Sequence, residues 1–349
     1  MADNLAPDDL KPVNERLTAP ASYRPAHPLV AEWRAATADD VEAVWQLMQA
    51  IDGADHPNYL TSREEAEEDF GYSFVDLSTD SIIAVAADGT FMAVGLVVMP
   101  PLQRTLVRSF LRGGVHPDHR GQGIGRELLA WSQTRAQQQL AASEKRLPAW
   151  ILAYADERAP QNVRLLERAG FSIARYFVAL ERDLSERIDE VEPHPGIRIV
   201  PFSDDLVEAT HAAITDSFRD HWASQPMSPE QWQAWRDGSF RPDVSFVALA
   251  EGDSGTEVVG FVLCQVNEDD WTAQGFTGAY IGFVGTRRAW RGRRIAPSLL
   301  GRVLRACADQ GWERVTLDVD SESPTGALGL YTRSGFRPTT SELALTREF

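Results

Sequence analysis

Cysteine is scarce in this 349-residue sequence, and long apolar runs are missing. The two cysteines, Cys264 and Cys307, lie in apolar contexts and share no disulfide or metal-ligand spacing, so we interpret them as buried thiols of a reducing compartment. No stretch is long enough for a membrane helix, and the sequence does not start with a basic segment followed by an apolar one. We therefore expect a cytoplasmic protein with no membrane partner.

Positive charge is also in short supply, with 34 Lys and Arg against 51 Asp and Glu and a formal net charge of −17. This balance argues against a nucleic-acid partner and favours solubility, and it is compatible with a cationic amine as substrate. The length predicts about two domains, each large enough to bury a core. The sequence leaves open whether the chain is a monomer or a homodimer.

One stretch, from Tyr280 to Leu300, changes from an apolar β-rich run through a short basic loop to a helical pattern. The helix is indicated by apolar residues at helical spacing, namely Ile295, Leu299, Leu300, Val303, Leu304 and Cys307. A strand, a tight loop and a helix N-terminus in this order form an anion site, because loop N–H groups and the positive end of the helix dipole converge there. The same arrangement occurs earlier, within Gly114–Gly125.

These two stretches belong to an internal duplication. Arg291 follows Arg120 by 171 residues, and the Gly-Phe pair that begins at Gly335 follows one that begins at Gly170 by 165 residues. Two landmarks in the same order at nearly the same separation predict two copies of one fold. Each half has the pattern of a mixed sheet with flanking helices, which is an α/β (α+β mixed-sheet) fold class.

The motif Arg-x-x-Gly-x-Gly/Ala between a strand and a helix, with Gly-Phe about 45 to 50 residues further on, resembles the acyl-CoA-binding core of the GNAT superfamily of N-acetyltransferases. The resemblance covers both halves, and the two-domain arrangement is similar to that of mycothiol synthase-type members. It implies tandem GNAT-like domains at 30–184 and 197–349. A linker at 185–196 would join them, and a flexible tail at 1–29 would precede them.

By the same resemblance, acetyl-CoA would be the cosubstrate, and no metal would take part. Its pyrophosphate would lie on the loop, where glycine lets backbone N–H groups approach an anion, and its pantetheine arm along the preceding strand. The residues assigned to this role are Gly113, Gly114, Val115, Arg120, Gly121, Gln122, Gly123, Ile124 and Gly125 in the first copy and Val284, Gly285, Thr286, Arg291, Gly292, Arg293, Arg294, Ile295 and Ala296 in the second.

The two copies differ four residues before the glycine of Gly-Phe. In the family this position carries a tyrosine that protonates the leaving thiolate. The second copy has Tyr331 there, whereas the first has Leu166, which has no proton to give. We therefore expect the C-terminal domain to be catalytic and the N-terminal domain to bind acyl-CoA or to act as a structural partner. A core aromatic on a helix face is the alternative for Tyr331.

Arg294 departs from the family pattern, which usually has glycine at this place. If the position needs a positive φ, arginine costs on the order of 1 kcal/mol. In ordinary helical geometry it would only add a cation beside a phosphate. We expect the second case, because Arg291, Arg293 and Arg294 together suit the several phosphates of CoA.

The group that takes the proton of the acceptor amine stays open. Asp318 and Asp320 alternate with apolar residues and so share one face of a strand. Asp320 is our catalytic candidate, with a turn cap as its alternative. His221 and Trp222 lie in an aromatic-rich segment where the family's first two helices shape the acceptor site. They are candidates for substrate contact, with core packing as the alternative.

The sequence thus predicts an N-acetyltransferase. A primary amine of a small molecule or peptide would attack the acetyl carbon of acetyl-CoA directly, in a ternary complex in the C-terminal domain. Backbone N–H groups near Val284 would polarise the thioester carbonyl. Two alternatives remain, a non-catalytic acyl-CoA-binding or sensor protein, and mycothiol synthase-type acetylation of a cysteinyl pseudodisaccharide.

Overall fold

The computed structural model describes residues 10–56, 59–252, 255–323 and 326–349. The chain divides into two compact units. Unit 1 comprises Met1–Arg175 and Glu342–Phe349, and unit 2 comprises Tyr176–Ser341. None of the helices within the described ranges has the length and apolar character needed to cross a bilayer.

Helices and strands are distributed along the whole chain, with several helices or several strands in succession at some places. In its first part the helices are α1 (Val13–Arg16), α2 (Val41–Asp55), α3 (Arg63–Gly71), α4 (Leu77–Asp80), α5 (Ile124–Ala141) and α6 (Pro160–Arg168), and the strands are β1 (Glu32–Arg34), β2 (Ser81–Val85), β3 (Phe91–Val98), β4 (Val107–Val115), β5 (Ala149–Asp156) and β6 (Ser172–Asp183). In its second part the helices are α7 (Val207–Ser217), α8 (Pro229–Asp237), α9 (Glu268–Gln274), α10 (Ile295–Asp309) and α11 (Ala327–Arg333), and the strands are β7 (Ile197–Pro201), β8 (Phe246–Gly252), β9 (Gly255–Gln265), β10 (Gly278–Thr286), β11 (Arg314–Asp320) and β12 (Arg337–Glu348).

The sheet of unit 1 has the order β1-β2-β3-β4-β5-β12. Neighbouring strands are antiparallel except β4 and β5, which are parallel. Helix α5 connects these two strands, and its buried residues Ile124, Leu128, Ala136 and Leu140 recur at helical spacing. The buried side of α5 therefore packs on the sheet, and its N-terminus lies where β4 ends.

The sheet of unit 2 has the equivalent order β7-β8-β9-β10-β11-β6, with β10 and β11 as its parallel pair. One core cluster contains α10 residues such as Leu299 and Val303, and another contains α7 and α8 residues such as Ile214 and Trp232. Both cysteines are free and buried in the first cluster, as the sequence indicates. The predicted mixed α/β class is confirmed.

The last strand of each half belongs to the sheet of the other unit, which differs from our expectation. We predicted domains at 30–184 and 197–349, each closed by its own last strand. Instead, Glu342–Glu348 of β12 pairs with β5 in unit 1. Phe177–Asp183 of β6 pairs with β11 in unit 2. Both segments have similar apolar alternation, so the pattern predicts a strand without choosing its partner.

The N-terminal segment also differs from the predicted flexible tail at 1–29. Residues 1–9 lie outside the described ranges. In residues 10–29, α1 forms, and Val13 and Leu17 are buried in the core of unit 1 with Leu140 of α5. The predicted linker at 185–196 lies within unit 2. Both segments are too short and too rich in proline for periodicity to reveal that they pack.

Candidate active site

Each unit has the same loop between its central parallel strand and the helix that follows. In unit 1, Gly121 and Gly123 have φ angles of 75° and 104°, and in unit 2, Gly292 and Arg294 have φ angles of 79° and 58°. Two left-handed residues separated by one other residue form a concave turn in which backbone N–H groups converge. Because α5 and α10 begin directly after these turns, the positive ends of their dipoles add to the attraction for an anion.

Arg294 has left-handed backbone geometry, so our expectation of ordinary helical geometry is wrong. It stands at the position that Gly123 occupies in unit 1, and the loop makes the same bend in both copies. A side chain at positive φ costs on the order of 1 kcal/mol. Its side chain is exposed at the N-terminus of α10. The second loop therefore carries local strain that the first does not.

The first arginine of each loop holds the loop in place. In unit 1, Arg120 donates from Nε to the carbonyl of Val115 at 2.9 Å, and its guanidinium makes a bidentate pair with Asp55 at 2.6 and 3.0 Å. Asn162 donates to the same carboxylate at 2.9 Å. Because both ends of Arg120 are engaged, we assign its side chain to the shape of the loop and not to a phosphate.

Arg291 makes the equivalent hydrogen bonds in unit 2, but at longer distances. Its Nε donates to the carbonyl of Thr286 at 3.4 Å, and its terminal nitrogens reach Asp220 at 3.4 Å and the carbonyl of Ser217 at 3.2 Å. Arg288 also pairs with Asp220. Arg291 is therefore held less tightly than Arg120, and an anion at the loop could draw it away from Asp220.

The remaining loop residues divide into anchors and exposed groups. Ile124 and Ile295 are buried at the starts of their helices. Gln122 and Arg293 are exposed, and the guanidinium of Arg293 lies 4.4 Å from the ring centroid of Trp290. Gly125 and Ala296 are the second residues of α5 and α10. The backbone N–H groups and the arginines at 293 and 294 are thus the groups available to phosphates in the second loop.

The central strands separate where the pantetheine arm was expected. In unit 2, β10 and β11 pair only from Gly278–Tyr280, and in unit 1, β4 and β5 pair only from Val107–Phe110. The predicted strand positions 284–286 and 113–115 all lie beyond these paired segments. Each unit therefore has a gap between parallel strands that leads toward its loop.

The two gaps differ in backbone geometry. Strand β10 has a bulge between Ile281 and Phe283 in its pairing with β9, whereas β4 pairs with β3 in regular register. A bulge bends a strand and re-aims its backbone groups. A side chain at Gly285 would meet the Phe261 ring at 2.2 Å, so this ring can lie against β10 only with glycine there. Unit 2 therefore presents a bent strand at the expected thioester position.

Tyr331 is almost fully buried on α11, with 7% of its surface exposed and its ring centroid 5.8 Å from that of Phe336. Burial raises the pKa of Tyr331, so the phenol stays protonated at neutral pH. Among the residues that the structure describes, none is hydrogen-bonded to its hydroxyl. The hydroxyl is also not among the fully buried side-chain atoms that lack a partner, so the ring is packed while its hydroxyl stays accessible to a bound ligand. Leu166 is also buried, on α6.

His221 and Asp320, two of the candidates for proton transfer and substrate contact, lie close enough to interact electrostatically. Burial lowers the pKa of His221, the charge of Asp320 acts in the opposite direction, and Arg291 lowers the pKa further. The imidazole is therefore neutral at neutral pH and can accept a proton. Asp320 also accepts the N–H of Glu322 at 2.9 Å, so its proposed alternative as a turn cap is observed.

Trp222 lies beside Phe177, with ring centroids 6.4 Å apart, and Phe177 is the direct strand partner of Asp320. These aromatic rings and His221 therefore belong to one region of unit 2. Sequence analysis missed Phe177, because the segment that contains it was assigned to the other domain. Trp232, in contrast, is buried and stacks with His211 and Trp235, so it is a core residue.

A second acidic group is present on the same strand as Asp320. Asp318 accepts a hydrogen bond from Tyr280 at 3.1 Å, and Tyr280 is the last residue of β10 that pairs with β11. Asp318 and Asp320 face away from the buried Val315, Leu317 and Val319, as the alternation predicts. Within the described ranges, no group of three or more His, Cys, Asp or Glu side chains is arranged to hold a metal ion.

Comparison with known families gives a match in each half of the chain. Residues 207–336 match the family described as "Acetyltransferase (GNAT) family", and residues 79–173 match the "Acetyltransferase (GNAT) domain". The two matched segments contain the two loops described above. They also contain Leu166 in the first match and Tyr331 in the second.

Individual relatives agree with these matches. A protein of Frankia casuarinae named mycothiol acetyltransferase is 29% identical over 234 residues, which is 64% of this chain but only 63% of that protein. The crystal structure of a GCN5-related N-acetyltransferase from Sphaerobacter thermophilus is 28% identical, with a TM-score of 0.67 over 91% of this chain and 95% of that one. A tandem GNAT protein from the clavulanic acid biosynthesis pathway, 14% identical, has the same fold with a TM-score of 0.65 over 91% of this chain and 98% of that one.

Proposed function

Because the chain belongs to the GNAT acetyltransferase family, with two such domains in tandem, we propose that unit 2 transfers the acetyl group of acetyl-CoA to a primary amine. The observation that carries this assignment is Tyr331, whose ring is packed in the core of unit 2 while its hydroxyl is not fully buried and has no hydrogen-bond partner among the described residues. Unit 1 has Leu166 at the corresponding place, so it lacks this proton donor. We assign unit 1 to acyl-CoA binding without catalysis.

In the proposed reaction the ammonium form of the acceptor gives one proton to neutral His221, and the nitrogen of the resulting free amine then bonds to the thioester carbonyl carbon. Backbone N–H groups of the bent β10 near Val284 would stabilise the oxyanion. When the tetrahedral intermediate collapses, the carbon–sulfur bond breaks and Tyr331 donates its proton to the CoA sulfur. The extra proton on the nitrogen then passes to the tyrosinate, which leaves a neutral amide and restores the phenol. Asp320 would stabilise the imidazolium form of His221, because its negative charge acts on that ring.

The groups around this region favour a cationic acceptor with an apolar part. Asp318 and Asp320 supply negative charge, and Trp222 and Phe177 supply aromatic surface. A small-molecule amine and a peptide N-terminus both satisfy these conditions. The cysteinyl pseudodisaccharide of mycothiol synthesis is a further candidate, because the Frankia relative carries the name mycothiol acetyltransferase.

The proposal is tested by following CoA thiol release from acetyl-CoA with a panel of amines that includes all three acceptor classes. Two loop variants locate the activity. We expect Ala296→Trp, which crowds the start of α10, to abolish turnover, and Gly123→Val in the other loop to preserve it. Loss of turnover only with Gly123→Val would place catalysis in unit 1. Tight CoA binding without turnover of any amine would support a sensor protein instead.

A further inference from the structure

The segment that precedes each repeat runs along the helix that follows the anion loop. We call these segments straps, with strap 1 as residues 10–31 and strap 2 as residues 185–196. Strap 1 contacts α5 through hydrogen bonds from Gln138 to the carbonyl of Pro20 at 3.0 Å and from Tyr23 to Glu127 at 2.8 Å. Strap 2 contacts α10 through Glu192 and Glu190, each 3.8 Å from an arginine of that helix.

Both straps bind the same carbonyl of the loop. In unit 1, Nε2 of His27 lies 2.9 Å from the carbonyl oxygen of Gln122. In unit 2, the backbone N–H of His194 donates to the carbonyl of Arg293 at 3.2 Å. Arg293 follows Gln122 by 171 residues, the same offset that relates Arg291 to Arg120. A His-Pro dipeptide supplies the contact in both cases, at 27–28 and 194–195, although one donor is a side chain and the other is backbone.

The position of this carbonyl fixes the direction of the next N–H group. The chain has no cis peptide bond among its described residues, and in a trans peptide the C=O and N–H groups point in opposite directions. Holding the carbonyls of Gln122 and Arg293 toward the straps therefore aims the N–H groups of Gly123 and Arg294 away from them. Neither N–H donates to another described residue.

We propose that the straps are positioning elements of the anion site, which fix the loop peptide whose N–H group donates to the CoA pyrophosphate. In unit 2 the contact has a second effect, because it helps to hold Arg294 in its strained left-handed geometry. The inference rests on the proposed function, since CoA is the ligand. It assigns to His27 and His194 a role that acts through the loop and not through contact with the reacting atoms.

The test uses two variants at one position in the full-length protein. His194→Pro removes the backbone donor, whereas His194→Ala keeps it and removes only the side chain. We expect His194→Pro to weaken CoA binding at unit 2 by about tenfold, as for loss of an N–H group aimed at a charged acceptor. The KM for acetyl-CoA should rise by a similar factor while kcat changes less than twofold. His194→Ala should match the wild type in both.

Calorimetry with CoA and steady-state kinetics together separate the outcomes. Equal CoA affinity in wild type and His194→Pro would overturn the inference, as would an equal loss of affinity in His194→Ala. If His194→Pro does not fold, replacing the amide between residues 193 and 194 by an ester removes the same donor and keeps the side chain. Absence of CoA binding and of turnover in the wild type would overturn the proposed function itself.

Discussion

At the residue scale, the two copies differ most in the groups available for proton transfer. Unit 2 combines a neutral buried phenol at Tyr331 with a neutral imidazole at His221, whereas unit 1 has Leu166 where Tyr331 stands. Transfer of an acetyl group to an ammonium ion needs a base for the nitrogen and an acid for the sulfur. Unit 2 has a candidate for each role.

The pH dependence of kcat/KM should report the protonation of His221. Because burial lowers the pKa of His221, its neutral form persists below the ordinary value of about 6.5, and activity should fall only as the pH drops through this lowered pKa. The charge of Asp320 opposes the lowering. Asp320→Asn should therefore move the acidic limb of the profile to lower pH.

Asp318→Asn is the matched control, because it removes an equal charge from the same strand face. The carboxylates whose charges raise the pKa of His221 are Asp320 and Asp220, so the acidic limb should move less in Asp318→Asn than in Asp320→Asn. The assignment of His221 as the base fails if the acidic limb is unchanged in His221→Gln.

Arg294→Gly should stabilise unit 2. Glycine adopts a φ of 58° without the steric penalty that arginine has, so the free energy of unfolding should rise by about 1 kcal/mol. Urea denaturation measures the change. Gly123→Ala is the reverse substitution in unit 1, where φ is 104°, and it should destabilise that unit. No gain in stability for Arg294→Gly would mean that the surrounding loop compensates the strain.

At the element scale, the two loops share a bend but differ in the burial of the Asp–Arg pair that holds each loop in place. The Asp55 and Arg120 side chains are 7% and 22% exposed, whereas those of Asp220 and Arg291 are 33% and 35% exposed. Removing one partner of a buried pair leaves an uncompensated charge, but an exposed pair is screened by water. The same contact therefore contributes differently to the stability of each unit.

Asp55→Asn should lower the free energy of unfolding of unit 1 by about 3 kcal/mol. Asp220→Asn should cost unit 2 less than about 1 kcal/mol. Thermal or urea unfolding of the two single variants, compared with the wild type, measures both effects. Equal losses in the two variants would contradict the difference in burial as the cause.

Sequence reasoning worked best for elements that have local signals. The loops at 120–125 and 291–296, the strands before them and the helices after them are where the motif predicted. The left-handed geometry of Arg294 was missed, because the residue type argued against it. The straps were missed because their contacts are buried apolar residues, hydrogen bonds and ion pairs at separated positions, without a regular spacing. The recurrence of His-Pro at 27–28 and 194–195 was the available signal.

At the scale of the whole molecule, unit 2 is one continuous segment, but unit 1 needs the last residues of the chain. Strand β5 pairs over Trp150–Asp156 with Glu342–Glu348 of β12. Strand partners far apart in sequence are not specified by local alternation, so the sequence could not reveal this exchange. We therefore expect unit 2 to fold without the rest of the chain, whereas unit 1 depends on the C-terminal residues.

A fragment of residues 176–341 should fold alone, whereas residues 1–175 should not. The second fragment leaves the edge of β5 unpaired and its apolar residues exposed, which favours aggregation. Circular dichroism and gel filtration distinguish these outcomes. Fusing 342–349 to residue 175 through a flexible linker should restore folding. A stable, monomeric 1–175 fragment would show that β12 is dispensable.

The most direct test of the central claim is the effect of Tyr331→Phe on turnover and on binding, measured with the same acetyl-CoA preparation. Removing only the hydroxyl should lower kcat by about 10²-fold, because general acid catalysis is lost, and should leave the affinity for acetyl-CoA unchanged. Tyr59→Phe in unit 1, where the residue is 47% exposed and its hydroxyl donates to Glu65, is the control and should keep full activity. An unchanged kcat in Tyr331→Phe would contradict the assignment of unit 2 chemistry to this tyrosine.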